Sequence, residues 1–286
     1  MEERICMITG ANSGIGKATA TELARKGARV IMVCRDEEKG KKVQQEIVEK
    51  TSNSQVDLLI ADFSSQESIR NMVKEFKSNY DQLHVLVNNA GTMQSKRRET
   101  EDGLEKTFGV NHIGPFLLTN LLLDVIKASA PSRIINVSSG LHVSSKIDFD
   151  DLQSVKSYSG MKAYSMSKLA NVLFTYELHH QLRDEGVDDV TVNAVHPGFV
   201  RTNLGREGGN FLVKYVFSYL IRPFITISPE KGAETSIYLA SSPEVEHISG
   251  KYFVKKQETP SADFTYDREL QKRLWRTSEE LTGLKR

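Results

Sequence analysis

Three observations predict a single α/β domain built on a doubly wound parallel sheet with helices on both faces. Arg4 to Arg35 reads as strand, glycine turn, helix and strand within about thirty residues, the size of a parallel crossover unit. Apolar β-prone runs and helix-prone runs then alternate as far as Val195. Finally, these apolar runs end in small or polar residues, as strands do where their carboxyl ends border a ligand crevice.

Arg4 to Thr9 is a short apolar run that turns into Gly10, Gly14 and Gly16. Lys17 to Lys26 follows with helical periodicity, and Ala28 to Cys34 is the second strand. The glycines permit positive φ and close backbone approach, while the helix start offers free N–H groups and a positive dipole end. A pyrophosphate fits there. The spacing Gly10-x-x-x-Gly14-x-Gly16 departs from G-x-G-x-x-G, so a tight turn without ligand is the competing reading.

Asp36 to Thr51 is charged and helix-prone, and Gln55 to Ile60 forms a third strand ending at Ala61-Asp62-Phe63. Ser64 to Ser68 caps a helix carrying Ile69, Met72, Val73 and Phe76, after which His84 to Val87 runs into Asn88-Asn89-Ala90-Gly91. Leu104 to Ile126 reads as a long helix in which Gly114-Pro115 suggests a bend or a local break. Arg133 to Val137 is a fifth strand ending at Ser138-Ser139-Gly140. Lys162 to Arg183 is a second long helix, and Val190 to Val195 is a sixth strand entering His196-Pro197-Gly198. Glu230 to Ser241 and Arg268 to Leu284 complete the helices.

No linker, low-complexity tract or repeat divides the 286 residues, so they form one domain over 1–286. Lys plus Arg number 38 against 37 Asp plus Glu, which gives no net field to recruit nucleic acid or an anionic membrane. Cys6 and Cys34 lie in the first two strands without a metal-site spacing, and buried free thiols are expected. The first strand begins within a few residues of Met1, leaving no room for a signal peptide or anchor, so a cytoplasmic location is expected. Phe211 to Ile227 is the most apolar stretch. Lys214, Arg222 and Pro223 interrupt it, which argues against a membrane span. Ordinary core, an oligomer contact, a membrane-touching flap and a substrate lid over 203–228 are its four readings.

Tyr164 and Lys168 are four residues apart, on one face of a helix. An unperturbed phenol has a pKa of about 10, and an adjacent ammonium is expected to lower it, making an acid/base couple. Ser139 can donate to a carbonyl oxygen as that oxygen gains charge. Taken singly, Ser139 reads as a cap and Tyr164 as a packed amphipathic side chain.

Thr9-Gly10-Ala11-Asn12-Ser13-Gly14-Ile15-Gly16, Asn88-Asn89-Ala90-Gly91, Asn111, Ser139, Tyr164-Ser165-Met166-Ser167-Lys168 and His196-Pro197-Gly198 occur in this order along the chain. With these motifs the sequence resembles the short-chain dehydrogenase/reductase family, whose fold is of Rossmann type. The retinol-dehydrogenase-like branch is the nearer match, through Cys34-Arg35-Asp36, Tyr164 to Phe174 and Ser249-Gly250-Lys251-Tyr252-Phe253. The resemblance implies an oxidoreductase that interconverts a carbonyl and an alcohol by nicotinamide hydride transfer. It casts Tyr164 as acid/base, with Lys168 lowering its pKa and holding the nicotinamide ribose. Ser139 would orient the substrate oxygen, and Asn111 would bend its helix and hold a water linking Lys168 to solvent.

By the same resemblance Gly10, Asn12, Ser13, Gly14, Ile15 and Gly16 form the dinucleotide turn, and Asp62 with Phe63 meets the adenine. Asn89 would line the adenosine ribose, with Ala90 and Gly91 continuing the cofactor wall. Pro197, Gly198, Val200 and Thr202 correspond to the segment that holds the carboxamide. Helix capping is the alternative for Asp62 and Thr202. Cys34 stands where members that use NAD carry an acid, and the Arg35 guanidinium suits a 2′-phosphate, which points to NADP(H). Asp36 is expected to restrain Arg35 when no cofactor is bound.

Members of the branch act on retinoids and other lipophilic aldehydes and alcohols. The implied partner is a small lipophilic carbonyl or alcohol, with a homo-oligomer through the long helices as an open alternative to packing on the sheet. A non-catalytic NADP(H)-binding sensor or scaffold is the second reading of function, disfavoured because Asn111, Ser139, Tyr164 and Lys168 are all present.

Overall fold

Strands buried on both faces read as near-continuous apolar runs, and the runs anticipated above all become strands. The computed structural model describes residues 1–198 and 227–284. Its strands are β1 (Ile5–Thr9), β2 (Arg29–Cys34), β3 (Val56–Ile60), β4 (Val85–Asn88), β5 (Ser132–Val137), β6 (Val190–His196), β7 (Lys251–Val254) and β8 (Gln257–Glu258). They make one sheet in the order β3-β2-β1-β4-β5-β6-β7-β8, parallel except where β8 turns back against β7.

The principal helices are α1 (Gly14–Arg25), α2 (Glu37–Thr51), α3 (Gln66–Asn79), α4 (Gly114–Ala128), α5 (Gly160–Asp184), α6 (Pro229–Ser241) and α7 (Arg268–Thr282). Alternate residues of each strand feed opposite faces. Cys6, Ile8, Val30 and Met32 pack with Ala20, Leu23, Ile47 and Leu239 from α1, α2 and α6. Met7, Ile31 and Val33 pack with Phe76, Phe116, Phe174 and Trp275 from α3, α4, α5 and α7. The strand order reverses at β1, whose neighbours are β2 and β4, so a crevice opens at their carboxyl ends.

Two features depart from the sequence reading. The expected long helix from Leu104 is a short turn at Lys106–Phe108, a π-helical turn at Gly109–Ile113 and then α4 from Gly114, so the break expected at Gly114-Pro115 is there but the turns before it are not one regular helix. Pro115 follows directly on the π-helical turn and has no N–H to donate to it, which fits the change of hydrogen bonding there. Strands β7 and β8 were not anticipated, being four and two residues long and half polar. By length and apolarity Lys106–Ala128 could cross a membrane, but Phe116, Leu117, Leu118 and Leu122 are core residues. The expected lid over 203–228 lies outside the described residues apart from Ile227 and Ser228.

Candidate active site

The glycine turn is fixed by the end of β4. Thr9 Oγ1 accepts from the backbone N–H groups of Asn89 and Ala90, both at 2.9 Å, and Asn89 Nδ2 donates to Thr9 O at 2.8 Å. Gly10 and Gly14 have φ of +67° and +54°, which favours glycine. A Cβ on Gly16 would stand 2.3 Å from Gly10 O and 2.5 Å from Asn89 Nδ2. Gly16→Ala is therefore expected to cost about 1–3 kcal/mol of stability and to displace the start of α1, read as a lower melting temperature together with weakened dinucleotide binding by fluorescence titration.

Ser13 precedes α1 without capping it through its side chain, so the first-turn N–H groups face the crevice with the partly exposed Asn12. Ile15 is core. Cys34 Sγ takes hydrogen bonds from the Ala11 and Asn12 amides, which sets the end of β2 against the turn, and burial pushes its thiol up to about 11. Arg35 beyond it is exposed. Asp36 engages Lys39 ahead of Arg35: its carboxylate caps α2 through Lys39 N at 3.1 Å and pairs with Lys39 Nζ at 2.6 Å, with Arg35 adding a weaker attraction. A residue three ahead in the first helical turn is better placed for it than its own neighbour.

Asp62 Oδ1 accepts from Ser64 N–H and Ser64 Oγ–H, each at 2.8 Å, closing a local turn ahead of α3, while the helix cap itself is Ser65. Phe63 is buried, and its ring occupies the place a Cβ on Gly114 would need. Gly91 is a meeting point. A Cβ there would lie 3.4 Å from Asn111 Oδ1 and 3.6 Å from Lys168 Nζ. Asn111 sits in the π-helical turn, its Oδ1 accepting from Thr92 N–H at 2.7 Å and its Nδ2 donating to Thr92 O and Ser167 Oγ, both at 2.9 Å. Its amide thus staples the loop after β4 to α5.

Ser139 follows β5, where Oγ accepts from Leu141 N–H at 3.2 Å and lies close enough to the Tyr164 phenol to act on its pKa. Capping and contact with Tyr164 coexist. Lys168 is one turn beyond Tyr164 on α5, with Nζ 5.8 Å from the phenol ring centroid and donating to Val137 O at 2.9 Å. The expected lowering of the phenol pKa by Lys168 does not appear. Burial pushes Tyr164 up to about 12, the Ser139 hydroxyl opposing it, and burial pulls Lys168 down to about 8. Desolvation disfavours both charged forms, and it outweighs their attraction at this separation.

Pro197 and Gly198 follow β6, with Gly198 at φ +84°. Val200 and Thr202 lie outside the described residues. His142 and His196, which no sequence pattern singles out as side chains of the site, both contact the Ser139 turn.

The sequence profile of the short chain dehydrogenase family matches residues 4–210. Retinol dehydrogenase 13 of Mus musculus is 47% identical over 283 residues, which is 97% of this chain and 83% of that protein. Retinol dehydrogenase 14 of Homo sapiens is 48% identical over 298 residues, covering 99% and 88%. Polyprenol dehydrogenase of Homo sapiens is 44% identical over 288 residues, covering 99% and 86%. Among solved structures, an uncharacterized protein from Mycobacterium Paratuberculosis superposes with a TM-score of 0.80 at 33% identity, over 99% of this chain and 94% of the other. The Pseudomonas aeruginosa RhlG/NADP active-site complex gives 0.70 at 26%, over 88% and 94%. These relatives overturn the expected cytoplasmic location. Their names are those of dehydrogenases of isoprenoid alcohols, molecules that partition into lipid, and that kinship conflicts with a purely cytoplasmic placement.

Proposed function

The chain belongs to the short-chain dehydrogenase family, and from that premise we propose that it uses NADP(H) to interconvert a lipophilic aldehyde or ketone, a retinoid among them, with its alcohol. The observation that carries the reading is the Ser139 hydroxyl placed where it acts on the Tyr164 phenol, with Lys168 one turn away on the same helix and the β1 glycine turn fixed by the end of β4. The donor set suits the cofactor. The positive-φ turn at Gly10 and Gly14 and the first turn of α1, left uncapped by the Ser13 side chain, favour a pyrophosphate, while exposed Arg35 beside the non-acidic Cys34 favours a 2′-phosphate. The NADP complex of the Pseudomonas aeruginosa relative supports the same choice.

When bound, the nicotinamide supplies or accepts the hydride at the substrate carbon. In reduction, Ser139 Oγ–H donates to the substrate oxygen as charge develops there. Tyr164 then delivers its phenolic proton to that oxygen, and a phenol held protonated by burial suits this acid step. Lys168 holds the ribose side and supports the phenolate left behind. Gly10, Asn12, Ser13, Gly14 and Ile15 line the phosphates, and Asp62, Phe63, Asn89, Ala90 and Gly91 the adenosine. Pro197, Gly198, Val200 and Thr202 serve the carboxamide.

The reading is tested by following NADPH and NADH oxidation with retinaldehyde, medium-chain aldehydes, aromatic ketones and a steroid ketone. NADPH is expected to be the better cofactor, and Arg35→Ser to raise KM for NADPH roughly five- to thirty-fold, the weight of a solvent-screened charge-assisted bond, while KM for NADH stays unchanged. Preference for NADH in the unmodified protein would remove the Arg35 argument. Tight cofactor binding without turnover of any carbonyl would point to sensing.

A further inference from the structure

The peptide that carries Ser139 is gripped by two imidazoles. His142 Nδ1 lies 2.8 Å from Ser139 O, and its Nε2 lies 3.2 Å from the backbone nitrogen of Ala262. A backbone N–H can only donate, so Nε2 must present its lone pair. The ring proton then sits on Nδ1 and is donated to Ser139 O. The ring is buried, with its centroid 4.8 Å from that of Tyr252 on β7.

From the other side, His196 Nδ1 accepts from the N–H groups of Gly140 at 3.1 Å and Gly198 at 3.3 Å. Its ring also fills the room beside Gly140, where a Cβ would lie 3.1 Å from Nε2. The carbonyl of Ser139 and the amide of Gly140 belong to the same peptide group. Both of its polar ends are therefore held by side chains, which fixes the rotation of the backbone from which Ser139 Oγ projects toward Tyr164.

We propose that His142 is a positioning residue of this enzyme: through Ser139 O on one nitrogen and Ala262 N–H on the other, it aims the Ser139 hydroxyl at the substrate oxygen. This rests on the reading that Ser139 orients that oxygen. Both ring nitrogens of His142 are taken by Ser139 O and Ala262 N–H, so its influence on the site runs through Ser139. It also makes the segment before α7, which contributes Ala262, a support of the catalytic turn.

The test combines His142→Leu, His142→Asn and Ser139→Ala in the full chain, with kcat, carbonyl KM, NADPH Kd and melting temperature measured for each. Leu removes both nitrogens, whereas the Asn amide keeps a donor near the place of Nδ1. His142→Leu is expected to lower kcat about tenfold or more, the cost of a misplaced catalytic group, with NADPH Kd within about twofold. His142→Asn should recover most of kcat.

On a Ser139→Ala background, His142→Leu should lower kcat little further, because residues that act as one unit are not additive. A full, multiplicative loss on that background overturns the inference, as does unchanged kcat in His142→Leu. If Ser139→Ala itself keeps full turnover, the Ser139 reading and the inference fail together. If Ser139→Ala is impaired while His142→Leu is not, the inference alone fails.

Discussion

Tyr164→Phe is expected to lower kcat by about 10²- to 10⁴-fold, the usual weight of a positioned general acid, equivalent to about 3–5 kcal/mol of barrier. NADPH Kd and melting temperature should change little. The phenyl ring keeps its place on α5, and what is lost is the hydroxyl that meets Ser139. Lys168 cannot substitute, because its Nζ is donated to Val137 O and lies 5.8 Å from the ring centroid. Single-turnover NADPH oxidation with retinaldehyde, beside a fluorescence titration of NADPH, separates the chemical step from binding. Turnover equal to that of the unmodified protein would remove Tyr164 from the acid role and leave Ser139 and Lys168 without a proton to direct.

The parts of the fold legible in the sequence are those whose physics is local or periodic. β1 and β2 announce themselves because both faces are covered, and the alternation of Cys6 and Ile8 against Met7 that divides the two cores is contained in an unbroken apolar run. Tyr164 and Lys168 were readable as a pair because a helix places residues four apart on one face. The π-helical turn at Gly109–Ile113 showed only as the bend expected at Asn111 and Gly114-Pro115, since a change in backbone hydrogen bonding leaves the apolar spacing almost intact. β7 and β8 were too short and too polar to show a period.

The site was legible in its residue types and less so in its electrostatics. A cation four residues from a phenol suggested a depressed phenol pKa, but the depth of both groups decides the sign, and depth is a property of the folded chain. His142 was invisible for another reason. Its partners are backbone atoms, one of them 120 residues away, and no side-chain pattern records such a bond. Asp36 was expected to restrain Arg35, but the cap of α2 claims its carboxylate.

Acidification is expected to destabilise the protein steeply between about pH 6.5 and 4. Burial lowers the pKa of His84, His112, His142, His179, His180 and His196, taking His179 to about 4 and His112 to about 3. A histidine whose folded pKa lies below its unfolded value stays neutral in the native chain and binds its proton on unfolding. Stability therefore rises with pH through this window and is lost as pH falls from the unfolded value toward the folded one.

His112 supplies the largest share. Its ring lies among Phe108, Phe116 and Phe174, with centroids 5.1, 6.1 and 6.1 Å away, and Nε2 is 2.9 Å from Ser278 Oγ. Charging it in that cage costs about 4–5 kcal/mol by pH 3. His179 shares its neighbourhood with His180, so those two titrate against each other as well as against burial. The carboxylates with lowered pKa values, such as Asp36, Glu46 and Asp124, lose their contribution only below the ordinary carboxylate range, so the interval from pH 6.5 to 5 isolates the imidazoles. Urea unfolding at pH 8, 6, 5 and 4 should show the slope. His112→Gln, which keeps an N–H donor for Ser278, should be less stable at pH 8 by about 1–2 kcal/mol and yet lose less on going to pH 4. An unchanged slope in His112→Gln would move the acid sensitivity to the remaining buried histidines.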